Sequence, residues 1–312
     1  MTSSQNAQPT ITVIGGLTMD VTYFVKQWPK VGEAVQATTY KLAPGGKGLN
    51  QATAVSRSGA FVHLIASVGS DEFADRIISE ISSEGISPDG IFRYKNVPTD
   101  LVGIIVNHTG SPGFIGIKNS TIRLSFDNIK SRENEIKNSQ VMLINSEVSL
   151  ETIEQALELA KKNSVITIYN PAPPEKLPDR IYSLIDYLVL NMWEAQFIAG
   201  SESMSSNELT NYFKKRGVRT ACITLGRDGC VVASDSGTKS YSSFPVDEVD
   251  ETGAGDSFCG YFAHEVALNR PIHSIIRKAS AAGAIACTKQ GSRSSPTRKE
   301  LEIFMKSHTN EI

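Results

Sequence analysis

The sequence predicts an α/β fold with a doubly wound, mainly parallel central sheet flanked by helices, and a small β-sheet beside it. Three observations support this prediction. Apolar runs typical of buried strands alternate with amphipathic helical stretches along most of the 312 residues. Two segments, at about 20–44 and 100–118, interrupt this alternation with short strand-like pieces and turn residues. The composition is 40% hydrophobic and 21% charged and does not change midway, which favours one domain.

The alternation begins with an apolar run at 11–14, which ends at two glycines as a buried strand ends at a turn. Further buried strands are expected at 62–68, 141–145, 165–169, 187–190 and 221–225, with a pair of strands at 101–107 and 113–117. Helices are expected from about residue 50 to 59, at 71–84 and at 149–162. In the last of these, Ser149 suits the N-cap, and Lys161 and Lys162 favour the negative end of the helix.

We therefore expect a single α/β domain over residues 11–306, with strands inserted at about 20–44 and 100–118 and a disordered tail at 1–10. The formal net charge is −2, so the chain lacks the basic face that nucleic-acid binding requires. It has no membrane-span or signal-peptide pattern, and its four cysteines lack metal-ligand spacing. These features predict a cytoplasmic protein with free thiols and with neither nucleic-acid nor membrane partners.

The strongest candidate for chemistry is the glycine-rich run from Asp250 to Asp256, which precedes an apolar stretch. Gly253, Ala254 and Gly255 would leave backbone N–H groups unobstructed at a helix N-terminus, which attracts anions. Asp256 could accept a hydroxyl proton there while those N–H groups hold a migrating phosphoryl group. Taken alone, the run is equally compatible with a capped helix in which Asp256 only complements the helix dipole.

A second glycine-rich run, PGGKGLNQ at 44–51, precedes an expected helix. Gly46 and Gly48 allow a ligand to approach the backbone closely, and Lys47 and Asn50 offer donors suited to sugar hydroxyls. The run is not a Walker loop, because its spacing differs and Gly48 follows the lysine where Ser or Thr would stand. An ordinary strand-to-helix turn is the alternative.

Three further polar sites follow expected strands, where doubly wound sheets bind their ligands. Asp20 lies beyond the first strand and could bind paired sugar hydroxyls. Asn191 and Glu194 follow the strand that ends at residue 190 and could organise a hydrated Mg²⁺, although Asn191 also suits a helix N-cap. The turn TLGRDG at 224–229 could accommodate a nucleotide or simply join two strands. Hydrolase and dehydrogenase signatures are absent from the sequence.

Together and in this order, these motifs resemble those of the ribokinase-like (PfkB) family of sugar kinases, over about residues 11–304. The runs at 45–48 and 250–256 match the two family signatures, and the runs NPAP at 170–173 and NMWE at 191–194 strengthen the likeness. Within the family the likeness is strongest to ribokinases and deoxyribokinases. The resemblance implies ATP-dependent phosphorylation of a sugar primary hydroxyl, with D-ribose as the expected acceptor. The alternatives are 2-deoxyribose, a nucleoside or another small sugar, and, more remotely, a non-catalytic sugar- or nucleotide-binding protein.

The resemblance also implies a role for each candidate residue. Asp256 would be the catalytic base, with the N–H groups of Gly253, Ala254 and Gly255 as the anion hole. The sugar would be held by Thr18, Asp20, Gly46, Lys47, Gly48, Asn50, Glu147 and Asp256. ATP would lie against Asn191, Thr224, Leu225, Gly226, Arg227, Asp228, Gly229, Gly255 and Ser280. Glu194 and Asn191 would act through the Mg²⁺ shell. A monovalent cation, K⁺, would lie at Asp250, Thr252, Ala286, Lys289, Gly291 and Ser295.

The resemblance further implies that the inserted strands form a lid and that this lid is the contact of a homodimer. The sequence departs from the family pattern at the rim of the pocket. Thr18 stands where ribokinases usually have Asn, residues 118–120 read KNS where Gly-Ala-Asn is frequent, and Ser280 replaces a His often found near adenine. The phosphoryl-transfer residues match the family, so the resemblance specifies kinase activity more closely than it specifies the sugar.

Overall fold

The computed structural model describes residues 8–107 and 112–308. Within this part of the chain, thirteen strands form two sheets. They are β1 (Thr10–Ile14), β2 (Thr18–Val25), β3 (Ala37–Gly45), β4 (Phe61–Val68), β5 (Ile91–Arg93), β6 (Asp100–Val106), β7 (Pro112–Ile117), β8 (Val141–Asn145), β9 (Ile166–Asn170), β10 (Tyr187–Asn191), β11 (Thr220–Thr224), β12 (Cys230–Ser234) and β13 (Gly237–Tyr241).

The larger sheet has nine strands in the order β13-β12-β11-β10-β9-β8-β1-β4-β5. The neighbouring pairs from β11 to β5 are parallel, and β12 and β13 form an antiparallel edge. Reversal of the strand order around β1 is the doubly wound arrangement that the sequence predicts. Parallel strands need crossover connections, which place helices on both faces of the sheet.

Eleven helices occur in the described residues. They are α1 (Lys47–Ser58), α2 (Glu72–Ser83), α3 (Phe126–Lys130), α4 (Glu133–Lys137), α5 (Leu150–Lys162), α6 (Asp179–Tyr182), α7 (Met192–Ala199), α8 (Ser206–Lys215), α9 (Ala254–Ala267), α10 (Ile272–Cys287) and α11 (Arg298–Ser307). Because alternate strand residues face opposite sides, Ile11 and Val13 pack with residues of α1, α2, α9 and α10. Ile14 instead packs with residues of α3 to α8 on the other face.

The starts of α5 and α1 can be compared with the prediction. The Ser149 side chain accepts a hydrogen bond from the Thr152 N–H at 3.2 Å, so it is the N-cap of α5 as predicted. The start of α1 was predicted near residue 50, but this helix begins at Lys47. Gly46, at φ 91°, forms its N-cap, and the Gly48 N–H donates to the Gly16 carbonyl at 3.0 Å. The glycine-rich run is therefore the first turn of α1.

The smaller sheet has the order β3-β2-β6-β7 and contains the strands predicted as insertions. In this sheet β2–β3 and β6–β7 are antiparallel, whereas β2 and β6, whose pairing was not predicted, are parallel. Parallel pairing is possible because α1, β4, α2 and β5 lie between β2 and β6 and supply a long crossover.

Three other expectations concern the N-terminal tail, the cysteines and membrane-spanning helices. Of the tail predicted at 1–10, residues 1–7 lie outside the described residues, and Thr10 already belongs to β1. The four cysteines are free thiols, and three of them are buried. Within the residues that the structure covers, no helix combines the length and the apolar character that crossing a bilayer requires.

Candidate functional site

The two glycine-rich runs meet where α1 and α9 cross. Gly260 permits this approach, because a β-carbon there would lie 2.4 Å from the β-carbon of Ala54. The crossing brings Asp256, which is only 5% exposed in the first turn of α9, against α1. Its Oδ2 accepts a hydrogen bond from Asn50 Nδ2, and its Oδ1 accepts one from Gln51 Nε2, both at 3.0 Å. The structure thus joins the predicted base to the predicted sugar loop.

The N-terminus of α9 lies beside this carboxylate. Gly253 is its N-cap at φ 82°, and a β-carbon at this position would lie 2.0 Å from the Ser292 carbonyl oxygen. A β-carbon at Gly255 would meet no atom within 4 Å among the described residues, so the approach to the helix end is open. The Ala254 N–H already donates to the Glu251 carbonyl at 3.1 Å. One of the three N–H groups predicted as an anion hole is therefore paired.

The remaining sugar-site residues surround the start of α1. Glu147 Oε2 accepts hydrogen bonds from the backbone N–H groups of Gly16 at 3.1 Å and Lys47 at 2.8 Å. The Thr18 hydroxyl donates to Asp20 Oδ1 at 2.8 Å. Thr18, which differs from the Asn usual in the family, therefore orients the Asp20 carboxylate that is predicted to bind the sugar. Backbone and hydroxyl donors thus fix two carboxylates near the same turn.

The charges of this site influence one another strongly. Lys47 Nζ lies 4.0 Å from Asp256 Oδ1, and this carboxylate raises the pKa of the Lys47 ammonium well above its ordinary value. Burial raises the pKa of Glu147 to about 7, although the Lys47 ammonium opposes this change. Burial also raises the pKa of Asp20, against the Thr18 hydrogen bond. Poorly hydrated carboxylates of this kind are strong acceptors for the hydroxyl groups of a ligand.

Three amide side chains, for which no role was predicted, connect these groups. Gln51 Nε2 donates to Asn170 Oδ1 at 3.0 Å as well as to Asp256, and its Oε1 accepts from Asn145 Nδ2 at 3.3 Å. Gln51 follows Asn50 in the second motif, and the two asparagines end β8 and β9. Their positions at strand ends were the available signal, because ligand sites of parallel sheets lie there.

On the nucleotide side, the structure realises the alternative that Asn191 is a helix cap. The Glu194 N–H donates to Asn191 Oδ1, and the Asn191 N–H donates to Glu194 Oε2, both at 2.8 Å. Glu194 is 7% exposed, and burial raises the pKa of its carboxyl group. Both side chains are engaged in the cap, but Glu194 carries a carboxyl group and is therefore the better acceptor for the waters of a hydrated Mg²⁺, which needs few protein ligands.

The turn at 224–229 joins the antiparallel strands β11 and β12, with the Leu225 N–H donating to the Gly229 carbonyl at 2.8 Å. It is therefore a hairpin, and it still lies at the carboxyl end of β11, which ends at Thr224. Arg227 forms an ion pair with Glu248 at 2.9 Å, and Gly226 to Asp228 form a short 3₁₀ turn. Ser280 is buried within α10. The structure thus shows the hairpin, and a nucleotide at this turn stays a prediction.

The residues predicted for the monovalent cation come from the loop before α9, from the end of α10 and from the loop after α10. Asp250 accepts the N–H groups of Thr252 and Gly291, both at 2.9 Å. Burial opposes ionisation of Asp250, but these hydrogen bonds outweigh it and hold its pKa below the ordinary value. The Ser295 carbonyl, however, accepts from Arg57 at 2.8 Å, and its hydroxyl bonds to Ser257 at 2.5 Å.

The cation-site residues therefore divide into two groups. The ionised Asp250 carboxylate suits a weakly hydrated cation, and the end of α10 lies beside it, since the Asp250 N–H donates to the Cys287 carbonyl at 3.1 Å. The Ala286 carbonyl already accepts from the Lys289 N–H at 3.1 Å, just beyond the end of α10. Ser295 fits less well, because both of its oxygen atoms already have partners. In the described residues, no cluster of three or more His, Cys, Asp or Glu suits a metal ion.

Comparisons with known proteins agree with this geometry. The chain is 33% identical to a ribokinase from Haemophilus influenzae, over 95% of this chain and 98% of that protein. It is 30% identical to a deoxyribokinase from Salmonella typhi, with the same coverage. The crystal structure of a ribokinase from Thermotoga maritima superposes with a TM-score of 0.87 at 29% identity, covering 96% of this chain and 99% of the other. Residues 8–299 match the pfkB family of carbohydrate kinases, and the chain belongs to this family of sugar kinases.

Proposed function

We propose that this protein transfers the γ-phosphoryl group of ATP to the primary hydroxyl of D-ribose, giving D-ribose 5-phosphate and ADP. The observation that carries the proposal is the position of Asp256. Its buried carboxylate is held by the amides of Asn50 and Gln51, beside the open N-terminus of α9. Within a carbohydrate kinase family, a carboxylate at this position fits the base for the attacking hydroxyl.

In the proposed reaction, Asp256 accepts the proton of the sugar hydroxyl as the hydroxyl oxygen attacks the γ-phosphorus. The bond from phosphorus to the bridging oxygen breaks, and ADP leaves with its electron pair. N–H groups at the N-terminus of α9, those of Gly253 and Gly255 above all, stabilise the negative charge on the phosphoryl oxygens. The Lys47 ammonium adds positive charge at the same place, 4.0 Å from Asp256 Oδ1.

Mg²⁺ would supply positive charge to the phosphates of ATP, and Glu194 is the residue that we propose to hold its water shell. K⁺ would strengthen the field at the anion hole, and Asp250 would hold it together with neighbouring carbonyls. The turn at 224–229 and Ser280 would border the nucleotide. Activity titrated with Mg²⁺ after chelation, and with K⁺ against a bulky quaternary ammonium ion, tests both assignments. Full activity without either ion would contradict them.

The sugar pocket offers several acceptors, which suits a polyhydroxylated ligand. Asp20 and Glu147 are carboxylates with raised pKa values, and Thr18 engages only one oxygen of Asp20. Asn50 Oδ1 is buried and has no hydrogen-bond partner among the described residues. An orphaned acceptor of this kind costs roughly 1–3 kcal/mol until a donor, here a sugar hydroxyl, fills it.

A second candidate acceptor is 2-deoxy-D-ribose. The deoxyribokinase relative is nearly as similar as the ribokinase relative, and Thr18 occupies a position where ribokinases usually have Asn. A coupled assay of ADP release with D-ribose, 2-deoxy-D-ribose and adenosine decides among the acceptors. We expect the highest kcat/KM with D-ribose. A preference for either of the other two would overturn the substrate while leaving the kinase assignment intact.

The role of Asp256 is tested with Asp256→Asn in the same assay. We expect kcat to fall by roughly 10²–10⁴-fold, because a general base typically contributes that much. D-ribose should still bind by calorimetry, because the amide keeps the shape of the pocket. Wild-type turnover by this variant would contradict the assignment of the base.

We also propose that residues 11–306 form one catalytic unit and that the smaller sheet is its lid. Support comes from Thr18 and Asp20, which begin β2, and from the glycine-rich run, which directly follows β3. That sheet exposes large apolar side chains, notably Tyr40, Phe114, Ile115 and Ile117, which favour a homodimer through the lid. We also propose that the protein is cytoplasmic, which agrees with its four free cysteines. Sedimentation of the wild-type protein and of a Phe114→Lys variant tests the homodimer. A wild-type monomer would contradict it.

A further inference from the structure

The Gln51 side chain is buried with 0% exposure, and both hydrogens and the oxygen of its amide head have hydrogen-bond partners. Its Nε2 donates one hydrogen to Asp256 Oδ1 and the other to Asn170 Oδ1, both at 3.0 Å. Its Oε1 accepts from Asn145 Nδ2 at 3.3 Å. An amide with all three positions filled has one orientation, so its contact with Asp256 is not a chance approach.

Backbone groups at both ends of this amide chain fix that orientation. Asn170 Nδ2 donates to the Val189 carbonyl at 2.9 Å, so Asn170 Oδ1 must face Gln51 and accept from it. Asn145 Oδ1 accepts the Glu147 N–H at 3.1 Å, so Asn145 Nδ2 must face Gln51 and donate to it. Neither asparagine can flip without losing its backbone bond. The Gln51 NH₂ group is therefore compelled to point at the base.

We infer that Gln51 is a positioning residue for the catalytic base, an inference that rests on the proposed function of Asp256. The terminal torsion of an aspartate is soft, so the Cα–Cβ–carboxylate geometry alone does not orient its oxygen atoms. Gln51 holds Oδ1 and Asn50 holds Oδ2, which leaves the remaining lone pairs directed at the pocket. Without Gln51 the carboxylate is held by one amide and can rotate away from the attacking hydroxyl.

The amide chain also connects the base to the sugar-side carboxylate. An unbroken series of hydrogen bonds runs from the Glu147 backbone N–H through Asn145 and Gln51 to Asp256. The carboxylate of the same Glu147 accepts the N–H groups of Gly16 and Lys47 in the sugar loop. The orientation of the base is thereby tied to the segment that contacts the sugar.

A purely structural role for Gln51 makes a different prediction from a positioning role. A buried amide that only fills space affects the folded fraction and the melting temperature, but not turnover per folded molecule. A positioning residue lowers kcat and leaves the affinity for the sugar nearly unchanged, because the interaction matters most when the proton moves. The two roles are therefore separable by kcat, KM and sugar Kd measured on the same folded protein.

The test uses Gln51→Met, which keeps the length of the side chain, and Gln51→Glu, which keeps an acceptor for Asn145 but cannot donate to Asp256. We expect kcat to fall about 10- to 100-fold in either variant, the range of one hydrogen bond to a charged group. Sugar KM and Kd should change less than about threefold. Thr53→Val is the matched control, since Thr53 is buried in the same helix and no hydrogen bond joins it to Asp256. It should keep the wild-type kcat.

The decisive measurement is a double-mutant cycle. In an Asp256→Asn background, Gln51→Met should lower kcat less than about twofold, because the group that it positions is already absent. Multiplicative losses, or a wild-type kcat in a folded Gln51→Glu protein, would overturn the inference. If Asp256→Asn retains full activity, the proposed role of Asp256 as the base fails, and the inference about Gln51 fails with it. If only the Gln51 variants retain it, the positioning role alone is refuted.

Discussion

Replacement of Glu147 by Gln should change how the stability of the protein depends on pH. Glu147 Oε2 accepts two backbone hydrogen bonds, from Gly16 and Lys47, which the carbonyl oxygen of Gln can also accept. The substitution therefore keeps the contacts of the side chain and removes its ionisation. Burial raises the pKa of Glu147 from its ordinary value of 4.5 to about 7, so the folded protein holds this proton more tightly than the unfolded chain does.

The sign and the size follow from this difference. Between pH 4.5 and about 7 the folded state binds more protons than the unfolded state, so the free energy of unfolding falls as pH rises. The pKa difference is about 2.5 pH units (7 − 4.5), and each unit corresponds to about 1.36 kcal/mol. The wild-type protein should lose at most about 3 kcal/mol over this range through Glu147. The side chain is only partly buried, so solvent screening reduces that upper value.

The assay is chemical unfolding of the ligand-free protein at several pH values from 4.5 to 8, for the wild type and for Glu147→Gln. The free energy of the wild type minus that of the variant should decrease as pH rises, with the largest change between pH 5 and 7. Glu158→Gln, which alters an exposed glutamate on α5, is the control and should give a flat difference. A flat line for Glu147→Gln, or a difference that grows with pH, would refute the reasoning.

Three substitutions test the backbone and the supports of the site. Gly253→Ala should lower the free energy of unfolding by about 1–3 kcal/mol from the positive φ alone, which the melting temperature measures. It should also abolish ADP release, because the new β-carbon would collide with the Ser292 carbonyl. Gly45→Ala should raise sugar KM at least about tenfold with kcat less affected, since its β-carbon would lie 2.1 Å from Asp20 Oδ2; an unchanged KM would contradict this. Arg57→Lys should lower the free energy of unfolding by about 1–3 kcal/mol, because the guanidinium binds the Glu84 carboxylate and two backbone carbonyls, and lysine cannot make all of these bonds. Equal stability of the variant and the wild type in chemical unfolding would argue against this.

The parts of the fold that local physics controls could be predicted from the sequence. The strand at 11–14 and the helix after Ser149 were found because apolar period and capping chemistry act over a few residues. The start of α1 at Lys47 was missed, because it depends on the Gly48 N–H binding the Gly16 carbonyl, a contact across the chain. Parallel pairing of β2 with β6 was missed for the same reason.

The site divides in the same way. The two glycine-rich runs and Asp256 stood out by composition and by family likeness, so the sequence predicted a sugar kinase with Asp256 as its base. The match to the pfkB family confirms the sugar kinase, and the role of Asp256 stays a prediction. The sequence left open whether Asn191 is a cap or a ligand, and the structure shows the cap. It gave no role to Gln51, whose partners lie 94 to 205 residues away along the chain.

The sequence by itself predicted the class of fold, its alternation of strands and helices, and Asp256 as the candidate base. Only the tertiary structure decided how that residue is held, through Gln51, Asn50 and the chain of amides to Glu147. The physical reason is the range of the interactions. Propensity, periodicity and capping are properties of neighbouring residues, whereas a buried hydrogen bond depends on which distant segments the packing of α1 against α9 brings within 3 Å.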